Sequence, residues 1–126
     1  MRLKNFNVDY GSKVFRSFSD ISRIRIMNVL YNRKESCIAD LELILNFTQT
    51  KTSRHVNYLK NANLLNMKYV NQFIFYSIRE EALDLIDQIF KLLEKDKQLE
   101  KDLEIYDIMN SNRELSKNKL EILKNK

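Results

Sequence analysis

Apolar side chains recur at helical spacing along most of this chain, and the places where that spacing fails divide it into elements. Val8, Val14, Phe15 and Phe18 predict a short amphipathic helix around Gly11. "SDISRIRIMNVLYN" opens with Ser19 or Asp20 as N-cap and sets Ile21, Ile24, Ile26, Met27, Val29, Leu30 and Tyr31 around most of a helix, which marks it as central. Asn32 to Ser36 break the pattern. "CIADLELILNF" resumes it as a short helix with Ile38, Leu41, Ile44 and Leu45 inward and Asn46 as its stop.

Thr48 then supplies a fresh N-cap for "QTKTSRHVNYLK", so two helices joined by a tight turn form a helix-turn-helix candidate. On a wheel at about 100° per residue, Thr52, Val56 and Leu59 share one side with His55 at its edge, while Thr50, Ser53, Arg54 and Asn57 fall on the other. The outward side carries hydroxyls and amides short enough to reach base edges, and an arginine able to fork onto guanine or phosphate. Lys51 and Lys60 add positive charge to the same helix, which holds no acid. "LLNMKYVNQFIFYSI" alternates in aromatic and β-branched residues around Asn71-Gln72 and reads as a β-hairpin, a wing with Lys68, Asn71 and Gln72 available to a DNA backbone.

From Glu80 a long helix is expected, with Ala82, Leu85, Ile89, Leu92, Leu99, Leu103 and Tyr106 in an alternating three-four repeat that only Asp96 interrupts. A helix of about thirty residues extends roughly 45 Å, longer than one small head covers, so its second half is expected to pair with another copy. Leu85, Ile89, Leu92, Leu99, Leu103 and Tyr106 are the predicted dimer seam. Asp96 reads either as a register device or as a local bend. The tail, 111–126, with Leu115, Leu120, Ile122 and Leu123, reads as a short helix or a frayed end. The fold class is therefore mostly α with a small β-hairpin: a winged helix-turn-helix over 1–80 and a dimerisation helix over 81–110.

Composition supports the prior for helix, because proline is absent and Gly11 is the single glycine among 126 residues, too short a chain for two sizeable cores. Charge is uneven. Residues 1–78 hold twelve Lys/Arg against five acids, and residues 79–126 hold ten against twelve. A basic head joined to a balanced helical segment suggests nucleic-acid binding and a separate association element. No apolar run approaches the roughly 20 residues of a membrane span, and "MRLKNFNVDYGSK" lacks a signal-peptide centre, so no membrane partner and a cytoplasmic location are expected. One cysteine excludes an internal disulfide framework.

"FRSFSDISRIRIMNVL", with its Asp, Ser and Arg-apolar-Arg run, resembles the second-helix signature of the ArsR/SmtB family of bacterial winged-helix repressors. "ADLELILNFTQTKTSRHVNYLKNANLL" and the following hairpin resemble that family's helix-turn-helix and wing, and the likeness covers about residues 14 to 80. It implies a homodimeric transcriptional regulator, usually a repressor released from DNA by an inducer, with Gln49, Thr50, Ser53 and Arg54 contacting DNA. Many members bind metal through a Cys-x-Cys pair, and here those positions read Cys37-Ile38-Ala39; others use ligands on the C-terminal helix, yet no histidine follows His55. No family-type metal site and no cofactor are expected. The expected partners are a double-stranded operator with an inverted repeat, a second copy of the chain and an unidentified inducer.

Competing readings bear on a few residues. Cys37 is a candidate redox sensor, against the plainer reading of a packed thiol. His55 has no nucleophile or paired carboxylate at useful spacing, so packing or a phosphate contact is preferred to catalysis, and an enzyme is not expected. Arg23 and Arg25 fit either structural support or phosphate contact. Tyr58, Tyr69, Phe73, Phe75 and Tyr76 read as core and wing aromatics in preference to a base-stacking platform. The alternative function is a protein-interaction module working through the long helix.

Overall fold

The computed structural model describes residues 6–124, with side chains as far as residue 120. Three of the four helices in the first half start where a short polar side chain satisfies an otherwise orphaned amide; the exception opens at Cys37 with no side-chain cap. Asn7 accepts the Tyr10 N–H at 2.9 Å and opens α1 (Val8–Ser17). Asp20 accepts the Arg23 N–H at 3.1 Å and opens α2 (Ile21–Arg33), which settles the choice between Ser19 and Asp20. Helix α3 (Ile38–Leu45) ends at Asn46 in the left-handed region, φ 57°, a conformation asparagine tolerates better than most residues. Thr48 then caps α4 (Gln49–Asn61) by accepting the Lys51 N–H at 3.1 Å.

After α4 the chain forms β2 (Leu65–Val70) and β3 (Phe73–Ile78), paired antiparallel from Leu65↔Ile78 to Val70↔Phe73 and joined by a two-residue turn with Asn71 at φ 54°. A third strand that the residue pattern did not predict, β1 (Glu35–Ser36), pairs with β3 and completes the sheet in the order β1-β3-β2. It follows Lys34, whose φ of 78° and ψ of −54° lie in a sparsely populated region for a non-glycine residue.

Met27, Leu30, Leu41, Ile44, Leu59, Leu64 and Ile86 are fully buried and pack α2, α3, α4 and α5 around one core. Helix α5 (Leu83–Leu92) follows a 3-10 turn at Glu80–Ala82 and adds Phe90, which stacks on Tyr31 and meets Phe18 edge-on.

The long C-terminal helix is present as α6 (Lys97–Ser111), but it is not continuous with α5. Asp96 is neither a helical seam residue nor a register device: its carboxylate accepts the Leu99 N–H at 3.0 Å and starts α6 anew. Glu94, Lys95, Asp96, Lys97 and Gln98 are all exposed, so no buried side chain holds a helix across this stretch, and the cap wins. Freed to turn, α6 lies across α2 and α3 of its own chain. Arg25 forms a forked ion pair with the fully buried Asp102 at 2.8 and 3.0 Å, and the Asn28 side chain donates to the Leu99 carbonyl at 3.2 Å. Arg33 meets Asp107 in the same way at 2.9 Å.

The tail continues as α7 (Ser116–Lys124), the helical one of its two expected forms. Ser116 N–H donates to the buried Asp40 carboxylate at 2.7 Å, and Leu115 is fully buried. Leu120 packs with Cys37 and Phe75, so α7 lies against the sheet. The side chains of Ile122 and Leu123 lie outside the described residues.

Candidate nucleic-acid interface

Helix α4 is anchored by one side and open on the other. Thr52, His55, Val56 and Leu59 are buried, and the Thr52 hydroxyl donates to the Thr48 carbonyl at 2.8 Å, so the polar member of that stripe is satisfied internally. Gln49, Thr50, Arg54 and Asn57 are exposed, with Ser53, Lys51 and Lys60 half-buried beside them. The Gln49 amide donates to the Ser53 hydroxyl at 3.0 Å, pre-setting two short polar groups in the first turns. The Lys51 ammonium lies 4.1 Å from the centre of the Phe47 ring, a contact that fixes this charge at the edge of the helix. The structure thus gathers all seven predicted α4 residues on or beside one open face.

The arginines that the sequence left undecided are structural. Arg23 donates to the carbonyls of Ser17 and Arg16 at 3.1 and 3.0 Å, satisfying the C-terminus of α1, and its guanidinium lies 4.0 Å from the Tyr58 ring of α4. Arg25 is taken up by Asp102 and lies 5.0 Å from the Phe47 ring. Together they tie α1, α2 and α6 to the helix-turn-helix, so its orientation depends on elements well outside it. His55 is buried, and burial pushes its pKa below the ordinary value; Arg54, Arg23 and Lys51 push the same way and the Asp20 carboxylate opposes them. A buried neutral imidazole on the anchoring side matches a packing role, not catalysis.

In the wing, Asn71 and Gln72 are exposed at the tip. Lys68 is exposed too, but its ammonium bonds Glu35 at 3.0 Å across the sheet. Tyr69, exposed and near the tip, is one of the wing members of the core and wing aromatics expected from the alternating pattern. Its one sequence signal was its place beside Lys68 on the edge strand.

The six predicted seam residues are not brought together. Leu99 and Tyr106 are only 7% and 3% exposed and belong to the protomer's own core. Leu85, Ile89 and Leu103 are half-buried, and Leu92 is 87% exposed. Heptad-like spacing marks a stripe that must be covered, and here α2 and α3 cover part of it. Cys37 is 2% exposed, and burial raises its thiol pKa, the reverse of what a reactive thiolate needs. The nearest carboxylate, Asp40, is engaged by the Ser116 amide, and among the described residues no group of three or more His, Cys, Asp or Glu is placed to hold an ion.

A helical head in which α4 follows α3 after a tight turn with an open, polar face, and a two-stranded wing comes next, defines a winged helix-turn-helix DNA-binding protein. Solved structures of this class superpose on it: HlyU from Vibrio cholerae has a TM-score of 0.63 at 21% identity, covering 70% of this chain and 96% of that one. The homodimeric winged helix-turn-helix domain Mb0332 from Mycobacterium bovis has a TM-score of 0.62 at 16% identity, covering 71% and 83%. The profile described as "Bacterial regulatory protein, arsR family" matches residues 20–67. The arsenical resistance operon repressor of Bacillus subtilis is 31% identical over 70 residues, covering 56% of this chain and 67% of that protein. The cadmium resistance regulatory protein CadC of Listeria innocua is 28% identical over 87 residues, covering 68% and 73%. The chain belongs to the arsR family and is a DNA-binding transcriptional regulator, not an enzyme. Among the described residues no helix is long and apolar enough to cross a membrane.

Proposed function

We propose that the protein is a homodimeric repressor that reads an inverted-repeat operator with α4 and is released by a signal other than a metal ion. The observation that carries this reading is the division of α4. A buried stripe of Thr52, His55, Val56 and Leu59 leaves Gln49, Thr50, Ser53, Arg54 and Asn57 facing outward together. Arg54 can fork onto guanine or phosphate, Gln49 and Asn57 can pair with adenine edges, and Lys51 and Lys60 supply phosphate contacts. Asn71 and Gln72 extend the contact at the wing tip.

The dimer surface we propose is α1 with α5, in place of the second half of the long helix. Val8, Phe15 and Leu92 are large apolar side chains exposed on these two helices, which meet where Phe18 contacts Phe90. Leu85 and Ile89 lie beside them, half-buried. The homodimeric state of Mb0332 favours a second copy as the occupant. Two heads related by a two-fold axis then meet half-sites about one helical turn apart. A non-metal signal follows from donor chemistry: one cysteine and one histidine in the whole chain are too few soft ligands for the ions that the relatives' names mention.

Fluorescence anisotropy on the DNA upstream of the protein's own gene, against a scrambled duplex at two salt concentrations, tests the operator reading. Tight, salt-sensitive binding that exceeds the scrambled control is expected. Equal weak binding to both duplexes would sink it. Sedimentation of Phe15→Glu with Leu92→Glu tests the dimer surface, and an unchanged dimer at micromolar concentration would remove α1 and α5 from it.

A further inference from the structure

Helix α7 does not simply cover the sheet. It leaves a cleft of about 320 Å³ between itself, the wing and the end of α2, toward the lower end of the range of small-molecule sites. The floor is apolar, made by Val70, Phe75 and Leu120. Four cations line the cleft as well, Arg33, Lys34, Lys68 and Lys117, with the Glu35 carboxylate among them.

These charges are not all spent. Arg33 pairs with Asp107 and Lys68 with Glu35, which also lines the cleft, and among the described residues the other two cations have no carboxylate partner. Lys117 lies over the Tyr106 ring at 5.0 Å. Lys34 is exposed and has neither an acidic partner nor a ring contact among the described residues, and it is held at the mouth by the unusual backbone conformation at φ 78°. Strained backbone of this kind persists where surrounding structure over-determines it, and such positions cluster at functional sites.

We propose that this cleft binds a small amphipathic anion, a molecule with a carboxylate or phosphate head and an apolar tail. The head matches Lys34 and Lys117, and the tail matches the Val70, Phe75 and Leu120 floor. A DNA phosphate would use the cations but leave the apolar floor unmet, so a small molecule fits better than the operator backbone. The site deepens the regulator reading and rests on it for its consequence. Its walls are the wing strands β2 and β3 and helix α7, which is tied to the first turn of α3 through Ser116 and Asp40. A ligand that parts α7 from the wing therefore acts on both DNA-facing units of the head.

The test uses the full chain and 1-anilinonaphthalene-8-sulfonate, itself an amphipathic anion, as a fluorescent probe at neutral pH. Saturable binding of the dye is expected, displaced by decanoate and not by acetate, inorganic phosphate or decyltrimethylammonium. Lys34→Glu and Lys117→Glu should each weaken dye and decanoate binding about tenfold, and Lys34→Arg should restore it. Lys117 borders this cleft and not the larger cavity next to it that Lys34 also lines, so the second variant fixes the location. Absence of dye binding, displacement by the cationic detergent, or indifference to Lys117→Glu overturns the site. Displacement by inorganic phosphate as readily as by decanoate overturns the amphipathic assignment. Operator affinity of the ligand-free chain is measured separately, and its absence would overturn the regulator reading while leaving the dye titration decisive for the cleft.

Discussion

Replacing Asp102 with alanine should cost about 3 kcal/mol of folding stability, the lower end of the range for removing one partner of a buried ion pair. Asp102 is 0% exposed and accepts from Arg25 at 2.8 and 3.0 Å and from the Gln98 amide at 2.9 Å. Removing it leaves the Arg25 guanidinium facing a dry gap. The lower end applies because the Arg25 side chain is 19% exposed and keeps the Leu45 carbonyl at 3.4 Å. With a urea slope of about 1.5 kcal/mol per M, the unfolding midpoint should fall by about 2 M. Urea titrations followed by circular dichroism read this directly, and a pairing of Arg25→Met with Asp102→Leu should recover most of the loss, since no charge is then stranded. A midpoint for Asp102→Ala within about 0.5 M of the parent would refute the reasoning, and would mean that water reaches Arg25 freely.

Arg54→Ala should weaken operator binding by about 1 to 3 kcal/mol and leave the oligomeric state unchanged, checked by anisotropy and sedimentation on the same sample. Thr48→Ala removes the acceptor for the Lys51 amide and should lower stability by about 1 kcal/mol, with the thermal midpoint as the readout. His55 has a folded pKa below its ordinary value of 6.5 because it is buried, so below about pH 6.5 the unfolded chain binds the extra proton first. Stability should therefore hold above that pH and decline as pH falls toward the folded value; His55→Leu should flatten this part of the profile, and an unchanged slope would show that other groups set it.

What could be read from the residues depended on how local the cause was. The cap at Thr48, the stop at Asn46 and the open face of α4 follow from interactions within a few positions and stand in the structure as expected, and of the two caps open to α2, Ser19 and Asp20, the structure uses Asp20. The hairpin turn at Asn71 is of the same kind. Strand β1 is two residues long, too short for any periodicity, and was invisible. The apolar repeat through Leu92, Leu99 and Tyr106 showed a stripe in need of cover but carried nothing about which surface covers it. Asp96 held the missing information. The same carboxylate that interrupts a heptad also caps a new helix, and only the fold of α6 onto α2 decides between the two. The cleft beside α7 was equally hidden, because Lys34, Lys68 and Lys117 lie far apart in the chain.

Arg25 meets Asp102 across 77 residues, Asp40 meets Ser116 across 76, and Asn28 meets Leu99 across 71. A ribosome that has just finished the wing has therefore made every side chain of the proposed DNA-facing surface but not Asp102, Ser116 or Leu99, the partners of Arg25, Asp40 and Asn28 behind it. Such long separations slow folding, and they make it wait for α6 and α7. A chain cut short after the wing is therefore not expected to serve as a minimal DNA-binding fragment. It would carry a carboxylate at Asp40 and a guanidinium at Arg25 without the α7 and α6 partners that hold them in the full chain, and limited proteolysis should cut it faster than the full chain.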